Sequence, residues 1–442
     1  MTPPAGPAPG AARIAVLVAA AGAAWEAEAL DRLERSSSIA VSRRCVDLTD
    51  LLASASVGTA AVAVLSPGLP GLDADSVAAL RRSGLGLVAV AGPADLRDGD
   101  AERLRRLGVD HLLSGAELGS LAATVLDAGG DLAAGRDVAP HHRGDRVGPT
   151  AGSPTGRVVA VWGPTGAPGR TTVAVGVAAA AAVAGHEVLL LDVDAYGGAV
   201  GQHLGVLDEA SGLLAAVRAA GSGRLDAERL AALARRVSER LRVLTGLPRP
   251  DRWLEVRPAA FADVLDEASR AAAFVVLDVG FSLEGEPVDP FGSAAPQRNE
   301  MTLASVRRAD EVLVVGAADP VGLARLARGL VELHDLLPAV RPRVVVNRGR
   351  STLGWSDREI RGMVEGFVTP LDVHFLPDDR AAADRALMAG RSLAESGDSA
   401  LATAVAELAR AVVGDPVVAP RRRFRRPGLG RGEPSAQAPK SR

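Results

Sequence analysis

Three carboxylates, one arginine and a pair of threonines stand in this chain at spacings that suit phosphate chemistry. Asp192 and Asp194 close the segment LLLDVDAYGG, Asp278 closes FVVLD, and Arg170, Thr171 and Thr172 follow a glycine-studded turn in RVVAVWGPTGAPGRTT. In that turn Gly166 and Gly169 let backbone N–H groups converge on a phosphate. The helix expected after it adds its positive dipole end, and the Thr171 hydroxyl is placed to hold Mg2+. The acids offer what a hydrolysis needs: one carboxylate near the metal, one for the attacking water and one to orient the others. Asp is also a common capping and turn residue, but here three acids at strand ends coincide with the glycine turn.

These residues need a parallel sheet to bring them together. A β-patterned run over 158–162 leads into the turn, and 173–183 reads as a helix of small residues. Apolar strands are expected over 187–191, 274–277 and 343–346, and Leu323 opens a helical stripe that runs to Leu337. The acids then leave the C-terminal strand ends, where an open α/β sheet puts its ligand site. A second stripe, Leu401, Val405, Leu408 and Val412, is expected to face a core, as are Trp162, Trp253 and Trp355.

The first part of the chain alternates in the same way. Strands are expected over 14–18, 39–45, 61–65, 87–91 and 111–113, with helices over 25–33, 48–53 and 76–82. Order and length resemble a response-regulator receiver domain, a flavodoxin-like fold. The places where a receiver keeps its acids, phosphoacceptor, hydroxyl and lysine hold Ala19 to Ala21, Ser66, Ala91 and Ser114. Two readings stand: a pseudo-receiver used to dock a protein partner, or an unrelated flavodoxin-like domain. The expected division is a leader over 1–12, the receiver-like domain over 13–128, a linker over 129–156, the nucleotide domain over 157–413 and an Arg-rich tail over 414–442. The linker is Gly, Pro, Asp and Arg without an apolar face, so His141 and His142 read as a solvated pair rather than metal ligands.

Composition narrows the function classes. The 442 residues carry a net charge of −3, which gives no bulk attraction to nucleic acid or membrane. A single cysteine, Cys45, excludes an internal disulfide framework and a Cys-based zinc site. The opening MTPPAGPAPG lacks the basic start and apolar run of a secretory signal, and no transmembrane segment is expected, so a cytoplasmic location is. The tail places five arginines around Phe424. It reads as a solvated tail or as a peripheral contact with anionic membrane or nucleic acid; its prolines forbid an amphipathic helix.

The segments GAPGRTT, LLLDVDAYGG, FVVLDVG, ADEVLVVGAADPVGL and VVVNR together resemble the MinD/ParA group of P-loop ATPases, whose loop reads KGGxGKTT. The continuation DAYGGAVGQHLGV, then GRLD and LRVLTGLPRP, behind a degenerate receiver-like domain, is most similar to the CpaE/TadZ branch. The resemblance implies ATP and Mg2+ as cofactors and an ATP-dependent homodimer that positions cell machinery, in Tad-type pilus and secretion assembly or in septum-site and chromosome positioning. It assigns Gly166, Ala167, Pro168, Gly169, Arg170, Thr171 and Thr172 to the phosphate loop, with Thr171 on Mg2+. Asp194 matches the residue that orients water, Asp192 its metal-side neighbour and Asp278 the Walker B acid. Asn347 matches the reader of adenine, and the segment around Pro377 lines the base.

Two departures stand out. Arg170 replaces the loop lysine and Thr165 replaces the signature lysine that reaches across the dimer. Of the 50 basic residues only Lys440 is lysine, so the arginine follows a chain-wide drift. A planar guanidinium is still no substitute for a compact ammonium, so binding is expected to outlast hydrolysis. Arg298 from a partner copy is the expected source of the missing charge. The competing readings are a catalytically silent scaffold of the same fold and a dinucleotide-binding oxidoreductase. The latter is disfavoured by G-x-x-G-x-x-G in place of G-x-G-x-x-G and by acids with no role in hydride transfer.

Overall fold

A computed structural model describes residues 13–92, 100–135, 156–166, 168–206, 210–285 and 297–414. The expected leader and nearly all of the tail, with residues 136–155 of the expected linker and Ala167 of the loop, lie outside the described residues.

Two sheets carry the chain. The first joins β1 (Ile14–Ala19), β2 (Ile39–Arg44), β3 (Val62–Leu65), β4 (Gly86–Ala91) and β5 (His111–Ser114), all parallel, in the order β2-β1-β3-β4-β5. That is the flavodoxin-like order. Its central strands are apolar throughout because helices cover both faces, with Leu17, Leu65 and Leu87 buried on one side and Val16, Val64 and Val88 on the other. Ala19, Ala91 and Ser114 end three of the strands and Ser66 follows a fourth, so no ionisable group stands there. The last helix, Leu121–Gly135, runs past position 129, where the linker is expected to begin.

The second sheet has eight strands: β6 (Arg157–Trp162), β7 (Val188–Val193), β8 (Arg235–Arg236), β9 (Leu241–Leu244), β10 (Phe274–Val279), β11 (Glu311–Ala317), β12 (Arg343–Gly349) and β13 (Asp372–Pro377). The order is β13-β12-β11-β6-β10-β7-β9-β8, and only β8 runs antiparallel to its neighbour. Strand β6 is central, flanked by β10 and β11, so the loop that leaves it sits at mid-sheet.

Helix Arg170–Val183 follows that loop, and its small residues let it lie close to both the sheet and helix Ala400–Val413. A Cβ on Gly176 would stand 2.6 Å from Val405 Cγ1. The stripe Leu401, Val405, Leu408 and Val412 is buried against it, as its spacing implies. Trp162 is fully buried and donates to the Phe281 carbonyl at 3.1 Å, and Trp253 packs partly on the core. Trp355 departs from expectation. It lies just after a short turn of helix, Ser351–Leu353, at the surface and is 45% exposed.

The two units touch through helix ends. The Asp75 carboxylate accepts the N–H of Ala259 at 3.0 Å, in the first turn of helix Pro258–Ala271. Arg103 Nε donates to the Ser222 carbonyl at 3.0 Å, beyond the end of helix Gly212–Gly221, and Arg106 approaches Asp226 at 3.6 Å. Anion at an N-terminus and cation at a C-terminus are the favourable senses of the helix dipole. Among the described residues no helix is long and apolar enough to cross a membrane.

Candidate functional site

The loop between β6 and helix Arg170–Val183 is built as an anion cradle. Gly166 and Gly169 adopt φ of +108° and +101°, a region that side chains disfavour. Gly169 is the N-cap and makes no side-chain cap, so the first-turn N–H groups of the helix point into the loop without side-chain acceptors. Thr171 and Thr172 stand half-buried in that first turn, and Pro168 is buried beneath the loop.

Arg170 turns inward. Its guanidinium donates to the carbonyls of Gly163 (3.1 Å) and Pro164 (3.3 Å) and meets Asp194 at 3.4 Å. A lysine could not hold three such partners in one plane. The replacement therefore braces the loop's own backbone, and its Nε is buried without a partner.

The three acids do come together, with one difference in placement. Asp192 lies inside β7 and Asp278 inside β10 rather than at the strand ends, and their Cα atoms are in register. Two neighbouring parallel strands thus aim carboxyls the same way from the sheet's C-terminal half. Both are almost wholly buried. Asp192 accepts N–H bonds from Val200 (3.1 Å) and Asp194 (3.3 Å) and is hemmed in by Gly198 and Gly246, where a Cβ would fall 2.4 Å and 2.6 Å from its carboxyl group. Burial pushes its pKa up to about 7, against those two N–H bonds, with repulsion from Asp194 adding to the rise. Asp278 is raised well above the carboxylate range by burial and then by repulsion from Asp192, while the Thr171 hydroxyl and the Arg170 charge pull the other way. Its Oδ2 has no partner. Asp194 accepts the N–H groups of Tyr196 (2.8 Å) and Gly197 (3.3 Å), which fixes the turn after β7.

On the other flank Asn347 ends the buried part of β12. Its amide donates to the Pro168 carbonyl at 2.8 Å, and a Cβ on Gly169 would stand 2.4 Å from its Nδ2. Asn347 is thus joined to the glycine loop directly. Pro377 ends β13 beside Gly349, two residues along β12 from Asn347. Arg298 packs against its own chain. Its guanidinium lies 3.9 Å from the centre of the Tyr196 ring, a cation–π contact, and donates to the Ala195 carbonyl at 3.4 Å. The Tyr196 hydroxyl is held by Asn299 at 2.7 Å.

The cradle fits a magnesium-bound phosphate. An uncapped helix N-terminus and an orphaned carboxyl oxygen lack partners that an anion and a metal would supply, and the Thr171 hydroxyl stands beside that carboxyl. Among the described residues no three acidic, histidine or cysteine side chains form a ready metal cage. Mg2+ commonly takes one or two protein carboxylates and completes its shell with phosphate oxygens and water, so Thr171 with Asp278 suffices. The expected pairing of Thr171 with Asp192 has less support, because Asp192 is already occupied by backbone donors. Sequence reasoning missed the Tyr196–Asn299 clasp and Arg325, which lies against Gly166; neither carries a motif.

No protein-family model matches the chain, and no curated protein matches it. Among solved structures it is similar to a ParA family ATPase from Chlorobium tepidum, with 20% identity over 57% of this chain and 98% of that one and a TM-score of 0.47. It is also similar to the cell division ATPase MinD of Pyrococcus furiosus (20% identity, 58% and 98%, TM-score 0.45). A third is the ATP complex of a Cyanothece McdA variant (17% identity, 61% and 100%, TM-score 0.46). Likeness at this level assigns no activity.

Proposed function

We propose that the chain is a magnesium-ATP-binding switch of the MinD/ParA kind, in its CpaE-like branch, whose nucleotide controls dimerisation and so positions cell machinery. The observation that carries this reading is the uncapped helix N-terminus at Gly169, with Thr171 and the Asp278 carboxyl beside it. Gly166, Pro168, Gly169, Thr171 and Thr172 would cradle the phosphates, and Asn347 and Pro377 would border the base. Bound Mg2+ would neutralise phosphate charge. Asp194, anchored by the turn it holds, would orient water. The process served is Tad-type pilus assembly or septum-site and chromosome positioning, at the cytoplasmic side of the membrane. The 13–128 unit would act as a pseudo-receiver that docks a protein partner.

A second reading has an observation of its own. Arg170 spends its donors on the Gly163 and Pro164 carbonyls and on Asp194, which favours a scaffold that binds nucleotide and turns it over slowly or not at all. Equilibrium binding of radiolabelled ATP with Mg2+, with product counted in the same samples, tests both. Binding with slow turnover, lost in Gly169→Val, supports the switch; binding without turnover supports the scaffold. Absence of binding removes both.

A further inference from the structure

The rim of the glycine loop carries a cation that the motif does not account for. Helix Pro320–Leu336 starts behind Asp319, whose carboxylate caps the N–H groups of Val321 and Gly322 at 3.1 and 3.0 Å. Its second turn brings Arg325 over the loop. A Cβ on Gly166 would stand 2.2 Å from Arg325 Nη1 and 3.2 Å from Cζ. The guanidinium is therefore seated on the loop at a position that has no side chain of its own. Arg325, Thr165, Gly166 and Asp319 line a cavity of about 50 Å³.

Arg325 is half-buried, and among the described residues it has neither a hydrogen bond nor an ion pair. Asp319, which lines the same cavity, is engaged in capping its own helix. A guanidinium carries five donors that want acceptors. Arg170, the cation expected to serve the phosphates, has already turned its donors on loop carbonyls and Asp194. Arg170 is committed to the protein, and Arg325 is not.

We infer that Arg325 is a phosphate-contacting residue of the glycine loop, delivering from a neighbouring helix the charge that Arg170 withholds. This rests on the phosphate-binding reading above. The loop alone would bind through backbone N–H groups; Arg325 adds a charge-assisted contact. Gly166 has a second role in this arrangement, since any side chain there would displace the arginine.

The test is equilibrium titration of the full chain with a fluorescent ATP analogue and Mg2+, alongside thermal melting of each variant. Arg325→Ala should bind about 10- to 100-fold more weakly, the loss of a hydrogen bond to a charged group, with melting unchanged. Arg325→Lys should recover part of the affinity, which a packing role would not predict. If Arg325→Ala binds as tightly as the wild type, or if Ala and Lys variants lose affinity equally and both melt early, the inference fails and the phosphate-loop reading stands. If the wild type does not bind while folded, both fall.

Discussion

Asp278→Asn should stabilise the nucleotide-free protein at alkaline pH. Asp278 and Asp192 sit in register on adjacent strands, both nearly inaccessible to water, and each disfavours the other's charge. Asp192 is raised from 3.8 to about 7, so bringing it to its charged form in the folded protein costs about 4 kcal/mol at 1.36 kcal/mol per unit. For a carboxyl whose folded pKa is raised, stability is fully present below the unfolded value and is lost as pH rises through the folded one. The wild type in EDTA should therefore lose stability between pH 5 and pH 8. An amide at 278 removes one charge and its repulsion but must still satisfy its own hydrogen bonds, so a gain of about 2 kcal/mol at pH 8 is expected, or about 4–8 °C in melting temperature for a unit of this size. Millimolar Mg2+ should narrow the difference by stabilising the wild-type carboxylates. Calorimetry at pH 5 and pH 8 checks it. A variant that melts no higher than the wild type at pH 8, with the same dependence on pH, would refute the claim that these acids are held at the expense of stability.

Glu311 is 4% exposed and joins Arg343 (2.5 Å) and Arg157 across three neighbouring strands; Glu311→Ala should strand the buried Arg343 charge and destabilise by about 3–5 kcal/mol in urea unfolding. At the contact between the two units, burial raises the pKa of Asp75 while the Ala259 N–H opposes the rise. Docking should therefore tighten as pH falls through the raised value and loosen as it climbs above it. Asp75→Asn, which keeps an acceptor without the charge, should hold the contact better at pH 8, and Asp75→Ala should free it, read as faster amide hydrogen exchange over 258–271.

How much of this was legible in the sequence depended on whether a residue's task left a pattern. The five strands of the first sheet and β6, β7, β10 and β12 of the second were readable because buried parallel strands are apolar runs. Strand β7 was expected to stop at Leu191 but continues to Val193, because pairing with β10 carries Asp192 inside the sheet. The helix after the loop begins at Arg170 rather than at 173, since a polar first turn does not register as hydrophobic periodicity. Strands β9 and β8, the last two at one side of the sheet, are too short to show a period, and β8 is two exposed arginines. The acids and loop glycines announced themselves by position. Arg325 did not, because the glycine it lies against is on a distant segment and no local spacing encodes that meeting.

The same contrast bears on an arginine at the loop position where the resemblance expects a lysine. An ammonium is a point donor that can leave one acceptor for another with little reorganisation, whereas the planar fork of Arg170 is held at three places around the loop. A phosphate entering the cradle meets a loop already braced by its own side chain and by Asn347 on Pro168. That bracing preorganises the backbone donors, which favours binding. It also withholds from the transferred phosphate a mobile cation that would follow developing charge, which disfavours turnover. A loop of this construction should hold nucleotide better than it cleaves it, and raising turnover would take release of Arg170 from the carbonyls rather than more positive charge.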